Sequence, residues 1–185
     1  MRAVNVASVS QLSPFRYPGG KTWLVPEFRH WLAGLYPRPT ILVEPLRGGI
    51  IALTAVFENL VDRAVIVESD PYVAAVWRTI LSSDARWLAD RIVEFKVDED
   101  AVVAELARYH NTRREMAFQT VLRNRMARGG IMAPGAGIVK NGEDGKGLLS
   151  RWYPETLAKR IMAIHDRREH LFFVEDDGIE NIRCF

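Results

Sequence analysis

A change of hydrophobic period within residues 40–60 constrains the fold of this chain more than any other feature. Residues 40–43 are β-branched or apolar and predict a buried strand, whereas the apolar residues from Ile50 onward recur at helical spacing. Gly48 and Gly49 lie between the two patterns. A strand, a glycine turn and a helix in this order are typical of parallel α/β sheets that present backbone N–H groups to nucleotide-like ligands. Glycines also serve many α/β domains simply as tight turns, so the flanking sequence has to decide.

Further strand patterns indicate that this unit belongs to a larger parallel sheet. Residues 63–68 and 171–175 are short apolar runs that each end at an acid, and residues 182–185 resemble the beginning of another strand. After the strand at residues 63–68, Asp70 is expected to cap a helix that has Pro71 at its first position. Strands that alternate with helices favour a parallel α/β architecture.

Apolar stripes at helical spacing identify residues expected in the core. One stripe contains Phe28, Trp31 and Leu32, and a second contains Trp77 and Ile80. Both tryptophans are therefore predicted to be packing residues.

No strand pattern occurs between residues 82 and 128, where helices are predicted around residues 87–95, after Asp98 and after Thr112. Thr112 and Glu115 have the spacing of a capping box, which marks the start of the last helix.

Arginine is concentrated in that last helix, since six arginines and one acid lie between residues 108 and 128. A loop at residues 129–147 follows and holds seven of the thirteen glycines, and loops of this length are usually functional or disordered. A helix is predicted after Trp152, with Leu157 and Ile161 inward.

Composition limits the classes of function. The chain has 185 residues, 48% of them apolar, which suffices for one globular domain with a core and a small insertion. Twenty-five basic residues against 23 acidic ones do not suit a general polyanion binder. The single cysteine, Cys184, excludes an internal disulfide, and no apolar run reaches the length of a membrane span. We expect a cytoplasmic protein without a membrane partner, and residues 1–14 as a loosely structured arm.

Acids mark the ends of the three predicted strands, at Glu44, at Glu68 and at Asp177 or its neighbours. Open parallel sheets bind ligands in the crevice outside the carboxyl ends of their strands. Glu68 lies about 20 residues after the glycines in the sequence. In nucleotide-binding folds, an acid at this separation accepts hydrogen bonds from the ribose hydroxyls. A nucleoside-containing cofactor is therefore expected, although the dinucleotide pattern G-x-G-x-x-G is absent.

Other chemistries have less support. Gly20-Lys21-Thr22 could end a phosphate-binding loop of an NTPase, but that pattern requires a glycine where Phe15 stands and a strand before it. Neither G-x-S-x-G nor a cluster of metal ligands occurs, so a serine hydrolase and a metal site are not predicted.

Three segments together resemble the Dam-type (D12 class) DNA adenine-N6 methyltransferases, which use S-adenosylmethionine. These segments are residues 15–21 (FRYPGGK), 43–49 (VEPLRGG) and 67–70 (VESD), in this order. Residues 123–157 contain RNR, GG and SRWYPETL motifs that are similar to the recognition insertion and its exit in one branch of the family, and Asp177-Gly178 is similar to the motif after the third strand.

The resemblance implies a Rossmann-like, three-layer α/β methyltransferase fold with an incomplete sheet. Residues 1–81 and 152–185 would form the partial cofactor-binding core, and residues 82–151 a helical target-recognition insertion. Tyr17 would flank the cofactor, Lys21 would lie near its carboxylate, and Glu68 would hold its ribose. The complete cofactor set is Tyr17, Gly19, Gly20, Lys21, Glu44, Pro45, Gly48, Gly49, Glu68 and Asp177. The arginines and lysines expected to contact double-stranded DNA are Arg113, Arg114, Arg123, Arg125, Arg128, Lys140 and Lys146.

The chain departs from the family at three points. Leu46-Arg47 replaces an aromatic and a small residue, and Ile50 stands where a third glycine is common. No D-P-P-Y or N-P-P-Y motif occurs, although methyl transfer needs that motif to orient an extruded adenine, so no catalytic residue is assigned.

Two interpretations of the missing motif stay open. In the first, the chain is a truncated methyltransferase that is inactive alone and needs a missing C-terminal segment or self-association through an open sheet edge. In the second, it is a non-catalytic remnant that acts at most as a DNA-binding module.

Overall fold

The computed structural model describes residues 9–17, 20–45, 48–133, 136–139, 145 and 147–182. The chain divides into two compact units. The strand unit consists of Met1–Ser13, Gly19–Pro71 and Asp166–Phe185, and the helical unit consists of Pro14–Pro18 and Tyr72–His165. The helical unit is thus wider than the predicted insertion at residues 82–151.

A three-stranded parallel sheet forms the centre of the strand unit. Its strands are β1 (Ile41–Glu44), β2 (Arg63–Val67) and β3 (Leu171–Val174), in the order β1-β2-β3. Val43 pairs with Val65, and Val65 pairs with Phe172. All three strands were expected from their apolar runs, and their parallel direction is confirmed. Within the described residues β1 and β3 are the two edges of this sheet.

Helix α2 (Ile50–Phe57) covers one side of the sheet and packs on all three strands. Every residue from Ile50 to Val56 is buried, and all of them except Thr54 are apolar, as expected for a helix that is enclosed on all sides. Helix α1 (Val25–Ala33) follows a 3-10 helix (Lys21–Leu24) and packs on α2.

The predicted core face of α1 is wrong for one residue. Val25, Phe28 and Leu32 are buried, but the side chain of Trp31 is 55% exposed. The ring of Trp31 lies 6.1 Å from that of Phe28, at the margin of a narrow buried stripe. The helical period predicts the direction in which the side chain of Trp31 points. Whether that side chain is buried depends on other segments of the chain.

The strand expected at residues 182–185 is also wrong as far as the structure describes it. Ile182 is the last residue of a short helix, α8 (Gly178–Ile182), and residues 183–185 lie outside the described part. The physical reason is a cap, because Asp177 Oδ1 accepts hydrogen bonds from the N–H groups of Ile179, at 2.8 Å, and Glu180, at 3.3 Å.

Helices make up the helical unit, and their starts follow the predicted caps. Asp98 Oδ1 accepts a hydrogen bond from Ala101 N at 2.8 Å, and Thr112 and Glu115 form the complete capping box. The described α-helices of this unit are α3 (Pro71–Ile80, whose first residue belongs to the strand unit), α4 (Ala85–Glu94), α5 (Glu99–Ala107), α6 (Arg113–Met126) and α7 (Pro154–Asp166, whose last residue belongs to the strand unit).

Helix α6 is the central element of the helical unit, since it packs on both α4 and α5. Phe118 and Leu122 of α6 are fully buried. Trp77 is also fully buried, as predicted, and its ring lies 5.9 Å from that of Phe15. Among the described residues, none of the helices combines the length and the apolar character that crossing a membrane requires.

Candidate functional site

The glycine turn after β1 requires glycine at both positions. Gly48 has a φ of 115° and Gly49 a φ of 65°, in the region that side chains with a Cβ avoid. Gly49 precedes α2 but has no side chain to cap it. Glu44 does this instead, because its Oε2 accepts a hydrogen bond from Ala52 N at 2.8 Å. The acid at the end of β1 therefore organises the turn.

Lys21 binds the second oxygen of the Glu44 carboxylate. Its Nζ lies 2.5 Å from Glu44 Oε1, and the side chain of Glu44 is buried. Burial raises the pKa of Glu44, while the charge and hydrogen bond of Lys21 act in the opposite direction. Both oxygens of Glu44 thus bind groups of the strand unit, which makes Glu44 and Lys21 a support of the turn.

A small cavity of about 150 Å³ lies at the carboxyl ends of β1 and β2. We call it the strand-end cavity. Gly178 closes one side of it through an unusually near approach to the chain after β1, since a Cβ at position 178 would lie 1.7 Å from the carbonyl oxygen of Pro45. The cavity is lined by Pro45, Val67, Glu68, Ser69, Asp177, Gly178 and Ile179.

Glu68 brings a buried carboxylate to this cavity. The residue is 3% exposed, and its Oε1 accepts a hydrogen bond from Asp70 N at 2.9 Å. The strand-end rule predicted that Glu68 and Asp177 would lie close together, and both line the cavity. Asp177 has a structural task as well, because its Oδ1 caps α8.

The strand-end cavity has room for at most one part of a nucleoside cofactor. Its volume is below the range of about 300 to 1,000 Å³ that sites for whole small molecules have. A carboxylate is an acceptor-only group, and the hydroxyl groups of a ribose are donors that match it. Glu68 is therefore suited to hold a ribose.

Tyr17 belongs to the helical unit, where α6 holds the segment that carries it. Asn124 Oδ1 accepts a hydrogen bond from Arg16 N at 2.8 Å, and Asn124 Nδ2 donates to Arg16 O at 2.8 Å and to Gly130 O at 2.9 Å. The half-buried ring of Tyr17 lies 5.7 Å from the ring of Phe15. The role of Asn124 was not predicted, although the RNR motif that contains it was noticed.

Arg125 corrects one of the expected DNA contacts. It is 5% exposed, and its Nη2 donates a hydrogen bond to Pro14 O at 2.6 Å. Burial, reinforced by the charges of Arg160 and Arg16, lowers the pKa of Arg125 to about 10. A buried guanidinium that binds the backbone of its own chain is not placed to reach a DNA phosphate, so Arg125 leaves the predicted set.

The other described arginines of the set are exposed. Arg113 and Arg114 approach the carboxylate of Asp84 at 3.5 and 3.8 Å, and the guanidinium of Arg114 lies 4.8 Å from the ring centre of Trp87. Arg123 and Arg128 are exposed as well. Gly19, Leu46, Arg47, Lys140 and Lys146 lie outside the described residues.

The context that a phosphate-binding loop requires is not found in the part of the chain that the structure describes. Residues 9–17 contain no strand, and Lys21 begins a 3-10 helix with its ammonium bound to Glu44. Gly20 is exposed and directly precedes that helix. Among the described residues, no three His, Cys, Asp or Glu side chains are grouped so that they could hold a metal ion.

The strand unit is an α/β fold with a small, open, parallel sheet, which is compatible with a Rossmann-like arrangement. The chain matches no protein-family model and no curated protein.

Proposed function

We propose that this chain binds S-adenosylmethionine and double-stranded DNA as a DNA adenine-N6 methyltransferase of the Dam type. The observation that carries the proposal is the buried carboxylate of Glu68 in the strand-end cavity, beside Pro45 and Asp177. These residues come from the segments that resemble the family, and they converge at the edge of the sheet where open α/β folds bind ligands.

Five residues of the strand unit have a role in this proposal. S-adenosylmethionine supplies an electrophilic methyl group when it is bound. Glu68 accepts hydrogen bonds from the ribose, and Gly48 and Gly49 let a ligand approach the backbone closely. Glu44 and Lys21 keep the glycine turn in place from below.

The DNA surface of the proposal is the arginine-rich part of the helical unit. Arg113, Arg114, Arg123 and Arg128 are exposed there, and arginine contacts to phosphates position a protein on DNA without reading its sequence. The 185 residues contain no D-P-P-Y motif, so we assign no residue to the orientation of an adenine. We therefore expect cofactor and DNA binding, but no turnover, from this chain alone.

Calorimetric titration of S-adenosylmethionine tests the proposal. We expect saturable binding to the chain and a loss of at least about tenfold in affinity for Glu68→Gln, because a buried charged acceptor is removed while the shape is kept. Glu169→Gln is the matched control, since the side chain of Glu169 is 81% exposed. Equal affinities of the two variants, or binding of ATP in place of S-adenosylmethionine, would overturn the assignment.

A further inference from the structure

A second cavity, of about 240 Å³, lies entirely within the helical unit. It forms where α5 ends, and the chain from there to α6, the middle of α6 and the first turn of α3 surround it. We call it the aromatic pocket. The residues that give it its chemistry are Tyr72, Arg108, Tyr109, His110, Gln119 and Arg123.

A buried amide fixes the imidazole of His110 in this pocket. Gln119 is 6% exposed, and its Nε2 donates hydrogen bonds to Glu105 O at 2.9 Å and Arg108 O at 2.8 Å. The Oε1 of Gln119 therefore faces His110 Nδ1, at 3.2 Å. Since Oε1 can only accept, Nδ1 carries the hydrogen, and Nε2 is the ring atom left for a ligand.

Two tyrosines extend the aromatic surface beside that imidazole. The ring of Tyr109 is stacked with the ring of His110, at 5.8 Å between centres and 7° between planes. Tyr72 approaches His110 edge-on, at 6.2 Å and 80°. Tyr109 is 78% exposed and Tyr72 is 52% exposed. Large aromatic side chains that are ordered against one another yet open to solvent offer a flat surface for a planar ligand.

Arg108 and Arg123 are the charged residues that line the pocket. Arg108 is paired with Glu105 at 3.1 Å and with Glu115 at 3.6 Å, and Glu105 also binds Arg91 at 3.2 Å, so Arg123 supplies the positive charge that is left for a ligand. Arg123 is exposed, and among the described residues no acid lies within ion-pair distance of its guanidinium. A planar, anionic ligand matches this combination of rings and cations.

We propose that the aromatic pocket binds one unpaired nucleotide of a DNA strand, with its base against the Tyr109–His110 stack and its phosphate at Arg123. Proteins that hold single-stranded nucleic acid use this pairing of aromatic rings for bases with arginines for the backbone. The inference goes beyond the proposed function, because it assigns to Arg123, one arginine of the proposed DNA surface, a subsite for an unpaired nucleotide that does not involve the cofactor.

The test is binding of a short, fluorescein-labelled oligothymidylate, measured by anisotropy at low salt without any cofactor. We expect Tyr109→Ala to weaken binding about 5- to 100-fold and Tyr109→Phe to keep most of it, since stacking needs the ring but not the hydroxyl. We expect Arg123→Gln to weaken binding and to reduce its dependence on salt. Tyr36→Ala and Arg168→Gln are the controls, because both residues are exposed and belong to the strand unit.

Competition separates the sources of the nucleotide. Displacement of the oligonucleotide by unlabelled single strands, but only weakly by free thymidine monophosphate, supports a strand as the ligand. Equal effects of Tyr109→Ala and Tyr36→Ala would overturn the proposal, as would tight binding of duplex DNA alone or of the free nucleotide alone. Far-ultraviolet circular dichroism of every variant checks folding. Failure of S-adenosylmethionine to bind would leave this result unaffected, so the two proposals fail separately.

Discussion

Lys21 Nζ lies 2.5 Å from Glu44 Oε1, and this pair joins the 3-10 helix before α1 to the end of β1. The carboxylate of Glu44 is buried, so removing the ammonium group of Lys21 leaves a buried charge without its partner, which lowers the stability of the folded state. We expect Lys21→Met to lower the free energy of unfolding by about 2–4 kcal/mol, below the full cost of breaking a buried pair because Lys21 is partly exposed. Urea unfolding measures the change, and Lys159→Met, at an exposed lysine, should have almost no effect.

The same carboxylate should give stability a dependence on pH. Burial raises the pKa of Glu44 above its ordinary value of 4.5, so the folded state binds this proton more tightly than the unfolded state. Stability then falls as the pH rises from that value through the folded pKa. Lys21 opposes the rise, so we expect a steeper loss in Lys21→Met than in the wild type, measured as urea midpoints between about pH 4 and 8. Glu44→Gln should remove this part of the slope, and parallel curves for all three proteins would contradict the account.

Gly178 should tolerate no side chain. A Cβ there would lie 1.7 Å from Pro45 O, and the obstacle is backbone, which cannot rotate away. We expect Gly178→Ala to lower the free energy of unfolding by at least about 1–3 kcal/mol and to weaken S-adenosylmethionine binding. Gly137→Ala is the matched control, because nothing lies within 4 Å of a Cβ at that position. Similar melting temperatures of the two variants would show that the chain near Pro45 yields easily.

Arg128 should contribute to DNA binding through charge alone. It is exposed at the end of the arginine-rich segment. We expect Arg128→Gln to weaken binding of duplexes of different sequence alike and to reduce the slope of log affinity against log salt by about 0.9. Arg168→Gln, at an exposed arginine of the strand unit, serves as the control. An equal reduction in both variants would mean that the effect is not local to the proposed surface.

Local signals explain which parts of the fold could be predicted. The helix starts at Asp98 and Thr112 were correct because each cap is formed by residues three positions apart. The start at Pro71 was correct because proline is favoured at the first position of a helix. Trp31 was not predicted correctly, since its exposure depends on other segments of the chain. The helix that ends at Ile182 begins with an equally local cap at Asp177, but the apolar character of Ile182 favoured a strand.

The candidate site shows the same division. Glu68 and Asp177 were expected together because acids at the carboxyl ends of parallel strands meet at one edge of the sheet. The partner of Glu44 could not be predicted, since Lys21 is 23 positions away and nothing in the sequence pairs them. The resemblance and its charge predicted Arg125 on a DNA-binding surface, but the side chain is buried and binds Pro14 O.

Asn124 determines the register of residues 15–17, the segment that carries Phe15 and Tyr17. Its side-chain amide both accepts from and donates to the backbone of Arg16, as the peptide group of an adjacent strand would. A shift of this segment by one residue would break both bonds at once. The side chain of Asn124, 108 positions after Arg16 in the chain, therefore fixes the position of the Tyr17 ring along this segment.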